Sequence, residues 1–134
     1  DRECGYFGLS GSGALKMTDQ RFIIEMGMGN DLHGGDYTKA AMRAVESALH
    51  RSSLHLLGLP MIDRKTLRVL VTIGAQEPDT VDTAKVAALL PVGEVTVKVI
   101  RGGLNVTHPT SGETIVIASA AVEAFLPFQR KDRA

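Results

Sequence analysis

The feature that most limits how this chain can fold is a glycine-rich segment of ten residues, GMGNDLHGGD, at positions 27–36. A short apolar run, Arg21–Met26, precedes it and predicts a strand. After it, apolar residues recur at helical spacing, namely Ala41, Ala44, Val45, Ala48 and Leu49. Asp36 is the expected N-cap of this helix, because its carboxylate can accept a hydrogen bond from a free amide of the first turn. The sequence therefore predicts a strand, a glycine loop and a helix in direct succession.

The rest of the chain continues to alternate between strands and helices. Leu67–Ile73 alternates its side chains in the pattern of a strand with one buried face. Pro78 is expected in the first turn of a second helix, with acidic residues near the positive end of that helix. Three strands follow from position 94 onward, separated by turns that contain glycine. The order β-α-β-α-β-β-β predicts an α/β (α+β) two-layer sandwich, in which helices cover one face of a mixed sheet.

The length and the composition of the chain predict one domain. A chain of 134 residues that is 44% hydrophobic can build one core, which we assign to positions 17–127. Positions 1–16 are rich in glycine and serine and lack any period, so we expect a disordered leader or a remnant outside the fold. Positions 128–134 are expected to form a charged tail.

Charge and cysteine content exclude several classes of partner. The 15 basic and 15 acidic residues cancel and tryptophan is absent, which argues against nucleic-acid binding. No apolar run reaches the roughly 18 residues of a membrane-spanning helix, so no membrane partner is expected. The single cysteine, Cys4, cannot form an internal disulfide, and no secretory signal is visible. We therefore expect a cytoplasmic protein.

The apolar segment Thr114–Leu126 points to a further copy of the chain. Glu123 is its only formal charge, whereas a strand of a two-layer domain should have polar side chains on the face that is exposed to solvent. Burial by a neighbouring subunit in a closed, symmetric homo-oligomer would explain this composition. A central strand covered by helices on both sides is the alternative. We favour the oligomer.

The glycine segment is the best candidate for a ligand site. Its glycines allow close approach of the backbone to a ligand, and their amides together with the helix N-terminus suit a polar or anionic small molecule. The ligand-binding candidates are Gly27, Gly29, Asn30, Gly34, Gly35 and Asp36. If the first two strands run parallel, Gln76 and Glu77 emerge at the same sheet edge and join this set.

Three interpretations of this segment remain open. The first is a divalent metal site for zinc, manganese or iron, with His33, Asp31 and Asp36 as ligands. The second is metal-free catalysis, in which His33 is a general acid or base oriented by Asp31 and the glycine amides hold a developing oxyanion. The third is structural: a tight reversal, an Asx-turn at Asp31, a cap at Asp36 and a loop histidine. Glycines at 27, 29 and 34 fit neither the dinucleotide nor the Walker pattern, so we exclude both.

The same segment resembles the signature of a known family. Positions 27–34 match G-x-G-x-D-x-H-G, which marks a family of short bacterial proteins that is also found at the end of longer plant chains. Three downstream blocks agree as well: VTIGAQEPDTVDTAKVAALLP, GEVTVKVIRGGLNV and TIVIASAAVEAFL. The resemblance covers positions 22–126. It implies that the signature residues are Gly27, Gly29, Asp31, His33 and Gly34.

That family is one of conserved hypothetical proteins, so the resemblance implies relatives and a signature but no activity. A motif that joins glycines to one acid and one imidazole favours a site over a simple turn. We therefore expect a homo-oligomer that binds a small molecule at positions 27–36, with acid–base hydrolase or isomerase chemistry through His33 and Asp31. The alternative is a non-catalytic oligomer that senses a ligand or a metal.

Overall fold

Five strands form one mixed sheet, and two helices pack on one of its faces. The structure is a computed structural model that describes residues 19–50, 65–90 and 93–127. In chain order the elements are β1 (Asp19–Asp31), α1 (Tyr37–Leu49), β2 (Arg68–Ala75), α2 (Thr83–Ala87), β3 (Glu94–Arg101), β4 (Leu104–Thr107) and β5 (Thr114–Pro127). The predicted fold class and the predicted element order are confirmed. The leader at 1–16 and the tail at 128–134 lie outside the described residues.

Strand β5 lies at the centre of the sheet. Along one edge it pairs antiparallel with β1, from Asp19 opposite Pro127 to Asp31 opposite Val116. Along its other edge it pairs antiparallel with β2 and then with β4. Strand β3 is parallel to β2 and forms the far edge. Because β1 and β2 are both antiparallel to β5, they run in the same direction and end at the same edge of the sheet. This is the condition under which Gln76 and Glu77 would emerge beside the glycine segment.

Helix α1 packs closely on the sheet because small residues meet across the interface. Its buried face is formed by Ala40, Ala41, Ala44, Val45 and Ala48, and Leu49 packs against the core. Opposite this face, Gly27 and Gly29 of β1 have no side chain. A β-carbon at Gly27 would lie 2.6 Å from the backbone nitrogen of Ala48, and one at Gly29 would lie 2.6 Å from the carbonyl carbon of Arg43. These glycines therefore set the distance between helix and sheet.

Strand β1 is longer than the sequence predicted. The apolar run suggested that it ends at Met26, but pairing with β5 continues to Asp31. Gly27 and Gly29 have no positive φ and continue the extended backbone, since β5 offers them partners without interruption. The reversal is confined to positions 32–36, where Gly34 and Gly35 have φ of 151° and 62°. Half of the predicted loop is therefore strand.

The second helix begins later than the sequence predicted. Pro78 starts a single 3-10 turn, Pro78–Thr80, rather than the helix itself. Val81 has an extended backbone and interrupts the helical path. Helix α2 then starts at Thr83, with the Asp82 carboxylate accepting hydrogen bonds from the amides of Ala84 and Lys85 at 3.1 and 3.3 Å. Neither helix of the described ranges has the length and apolarity needed to cross a bilayer.

Candidate functional site

Asp31, the last residue of β1, closes the loop that follows it. Its side chain is buried, and Oδ2 accepts a hydrogen bond from the Asp36 amide at 2.8 Å. This bond is the main reason why the pKa of Asp31 lies below its ordinary value. Burial acts in the opposite direction, whereas the charges of Lys39 and Arg43 and the backbone amide of His33 lower the pKa further. Asp31 is therefore a carboxylate held in its charged form by the loop itself.

Asp36 caps helix α1, as the sequence predicted. Its Oδ1 accepts a hydrogen bond from the amide of Lys39 at 3.0 Å. Its own carbonyl accepts the first helical hydrogen bond, from the amide of Ala40 at 3.1 Å. Together, Asp31 and Asp36 occupy amides that were expected to face a ligand. Both carboxylates thus have structural roles in this loop.

Two cations of α1 lie beside these carboxylates. The Nζ of Lys39 is 3.8 Å from Oδ1 of Asp31, and Nη1 of Arg43 donates to the carbonyl oxygen of Asn30 at 2.8 Å. Lys39 and Arg43 are four residues apart, so they project from the same side of the helix. Neither residue was among the site residues predicted from the sequence, although this i, i+4 spacing next to the motif was a usable signal.

These groups line one pocket, which we call the motif pocket. Its volume is about 530 Å³. It is lined by Asp31, Leu32, His33, Gly34, Asp36, Lys39 and Arg43. The signature acid, the signature imidazole and the two cations therefore share one cavity at the carboxyl end of β1, where open α/β sheets commonly bind ligands.

The imidazole of His33 lies beside an acid other than the one that was expected to orient it. Its side chain is 81% exposed, and Nδ1 lies 3.6 Å from Oε2 of Glu113, in the turn between β4 and β5. The link between Asp31 and His33 runs through the His33 backbone amide. The imidazole is therefore paired with Glu113. No local sequence signal pointed to Glu113, because eighty positions separate it from His33.

The predicted metal ligands do not converge. In the described parts of the chain, no group of three or more histidine, cysteine, aspartate or glutamate residues is placed to hold a metal ion. The reason is geometric: Asp31 and Asp36 are bonded to amides of the loop and the helix, and His33 is directed toward Glu113.

The glycines of the motif divide into two groups. Gly27 and Gly29 lie against α1, where the close approach of the helix leaves no room for a ligand. Gly34 and Gly35 form the reversal, and no atom lies within 4 Å of the position of a β-carbon on Gly35. Asn30 is exposed and offers its carbonyl to Arg43. The part of the motif that faces open space is therefore its second half.

Gln76 and Glu77 do not line the motif pocket. The side chain of Gln76 donates to the carbonyl oxygen of Gly102 at 2.9 Å, and the carbonyl of Glu77 accepts from Thr80. The loops after β1 and β2 do approach each other, however. The Thr38 hydroxyl accepts from the Asp82 amide at 2.9 Å and so joins the first turn of α1 to the cap of α2.

Comparison with known proteins agrees with this description. A family model described as "Conserved hypothetical protein (Lin0512_fam)" matches residues 21–124. A similar solved structure is an FtsZ-like protein of unknown function from Nostoc punctiforme PCC 73102, with 34% identity and a TM-score of 0.69. The match covers 84% of this chain and 99% of that one. The search of curated proteins gives no match. The chain therefore belongs to the Lin0512 family of conserved hypothetical proteins.

Proposed function

We propose that this protein binds a small anionic molecule in the motif pocket. The observation that carries the proposal is a difference in hydrogen bonding between the acidic and the basic side chains of the pocket. Asp31 and Asp36 are already bonded to backbone amides. Lys39, in contrast, is half exposed, and its ammonium has three donors, whereas its one ion-pair contact among the described residues is with Asp31 at 3.8 Å. The Lys39 ammonium thus has donors left in the pocket, which suit a carboxylate or a phosphate.

The position of the pocket supports the same class of ligand. Arg43 is held by the carbonyl of Asn30, so its guanidinium is oriented before a ligand arrives. The open side of Gly35 leaves space next to the start of α1, where the helix dipole favours negative charge. We expect the anion to lie between Lys39, Arg43 and this reversal.

Phosphate titration followed by amide NMR shifts tests the proposal. We expect inorganic phosphate to shift the amides of positions 33–39, and Lys39→Ala and Arg43→Ala each to weaken binding at least about tenfold, because a charge-assisted bond contributes about 1.5–3 kcal/mol. Lys85→Ala is the matched control, since it removes an exposed cation of α2 outside the pocket. Equal effects of all three substitutions would contradict a site between Lys39 and Arg43.

A second candidate function is acid–base chemistry on the bound molecule, of the hydrolase or isomerase type. The exposed imidazole of His33, 3.6 Å from the Glu113 carboxylate, favours it. Here His33 would transfer the proton and Glu113, rather than Asp31, would orient the ring. Turnover that is lost in His33→Ala and partly restored by added imidazole would separate this function from non-catalytic sensing of a ligand or a metal.

We further propose that the protein acts as a homo-oligomer. The almost uncharged segment Thr114–Leu126, which was predicted to form a subunit contact, belongs to the central strand β5. Helix α1 covers one face of this strand, and no helix in the described part of the chain covers the other.

A further inference from the structure

The face of the sheet opposite the helices is unusually apolar for a surface. Six large apolar side chains on it are between 41% and 64% exposed: Ile24, Met26, Met28, Ile100, Leu104 and Val106. We call this surface the open face. Strands β1, β3 and β4 all contribute to it. Soluble monomers rarely expose contiguous apolar patches of more than a few hundred Å².

Strand register gives the open face a ridge and a trough. Met28, Ser119, Gly74 and Ile100 form one row across β1, β5, β2 and β3. The two residues at the ends of this row are large, and the two at its centre are small. The cavity above these small residues has a volume of about 600 Å³.

The next row repeats the pattern next to the first. Met26 of β1 is followed by Ala121 of β5 and Thr72 of β2. The small side chains of two rows thus form a trough about two strands wide, roughly 10 Å. Met26 and Met28 stand along one side of it as a ridge and are 62% and 64% exposed.

Charged groups lie at the margins of the open face. Glu123, one row beyond Met26, is buried and paired with Arg21 at 2.8 Å. Lys98 belongs to the outer strand β3, at the end of the Met26 row. The centre of the face carries no charge, so a partner surface needs none for complementarity.

We propose that the open face packs against the open face of a second copy of this chain, with the Met26–Met28 ridge of each copy in the trough of the other. This inference gives the proposed homo-oligomer its contact surface. A twofold contact brings one patch against itself, so the patch must complement its own shape. A ridge beside a trough of similar width meets that condition. Methionine suits the ridge because its flexible side chain fills irregular gaps.

The size of the open face is adequate for such a contact. The sheet is four strands wide, because β4 follows β2 along the same edge of β5. At about 4.8 Å spacing and about eight residues of length, this gives roughly 500 Å² in projection. A stable interface buries about 800 Å² of accessible surface on each partner, which is of the same order. Two sheets that pack in this way lie about 10 Å apart, with side chains interdigitated. The small side chains of β5 then have a purpose, since they form the floor that receives the partner's ridge.

Sedimentation equilibrium of the full chain tests the surface. We expect the wild-type protein to associate, and Met28→Lys to weaken association at least tenfold, because it places a charge in an apolar contact. Met28 is 64% exposed, so the variant should keep the circular dichroism spectrum of the folded wild type. Ala88→Lys, which adds the same charge at the exposed end of α2, is the control and should associate normally.

Cross-linking tests the ridge and the trough directly. In a Cys4→Ser background, a protein with Met28→Cys mixed with one carrying Ser119→Cys should form a disulfide-linked heterodimer. If the wild-type protein sediments as a monomer, both the homo-oligomer and this contact surface are overturned. That holds whether another protein or another part of the same chain covers the open face. An oligomer that is insensitive to Met28→Lys and gives no cross-link would overturn the surface alone. Phosphate binding is measured separately and is unaffected by either result.

Discussion

A single carboxylate, that of Asp31, joins the strand, the loop and the helix of the motif. It accepts the Asp36 amide, interacts with the His33 amide and lies 3.8 Å from the Lys39 ammonium. A neutral side chain at this position would keep part of the hydrogen bonding but would lose the attraction to both cations of the pocket. The motif therefore depends on the charge at position 31 as well as on its shape.

Removal of that charge should change how stability depends on pH. Asp31 has a folded pKa below the ordinary 3.8, so its contribution to stability is present above pH 3.8 and is lost as the pH falls through the folded value. We expect urea unfolding to show Asp31→Asn less stable than the wild type near neutral pH, with the gap closing below pH 3.8. Asp79→Asn, which removes an exposed carboxylate outside this loop, is the control and should lower stability near neutral pH less than Asp31→Asn does. A gap that stays constant with pH would show that the charge of Asp31 is irrelevant to folding.

At the scale of elements, contact between α1 and β1 depends on Gly29. Because a β-carbon there would meet backbone atoms of α1, the helix would have to move away from the sheet. We expect Gly29→Ala to destabilise the protein by about 1–3 kcal/mol, the usual cost of overpacking. Denaturant unfolding measures it, with Asn30→Ala as the neighbouring exposed control, expected within about 0.5 kcal/mol of the wild type. If Gly29→Ala unfolds at the same denaturant concentration as the wild type, α1 can move away from the sheet without loss of stability.

The same contact shows how far the sequence could predict the structure. Element types and their order were readable because apolar periodicity is a local signal. The end of β1 could not be predicted, since glycines such as Gly27 and Gly29 are typical of loops. Only the close packing of α1 against them explains why glycines occupy these positions of a strand. The cap at Asp36 was predictable from neighbouring residues. The pairing of His33 with Glu113 was not, because the register of β4 and β5 decides it.

At the scale of the whole molecule, β5 connects the sheet. It contacts β1 along one edge and β2 and β4 along the other, whereas β4 has four residues and, among the described strands, pairs with β5 alone. We expect hydrogen exchange to be slowest for the amides of 116–124, which open only with global unfolding, and clearly faster for β4. Amides of β4 that exchange as slowly as those of β5 would contradict this central role.

The central place of β5 also has a consequence for synthesis on the ribosome. Strand β1 is made first, yet its partner among the described strands is β5, which emerges at the end of the domain. Strand β2 can pair earlier with β3, whereas β1 must wait. Until then the unpaired edge of β1 and the alanine face of α1 remain open to other chains, as is typical of folds dominated by distant contacts. Slow translation ahead of Thr114 would therefore lengthen the period in which the nascent chain needs protection from a chaperone.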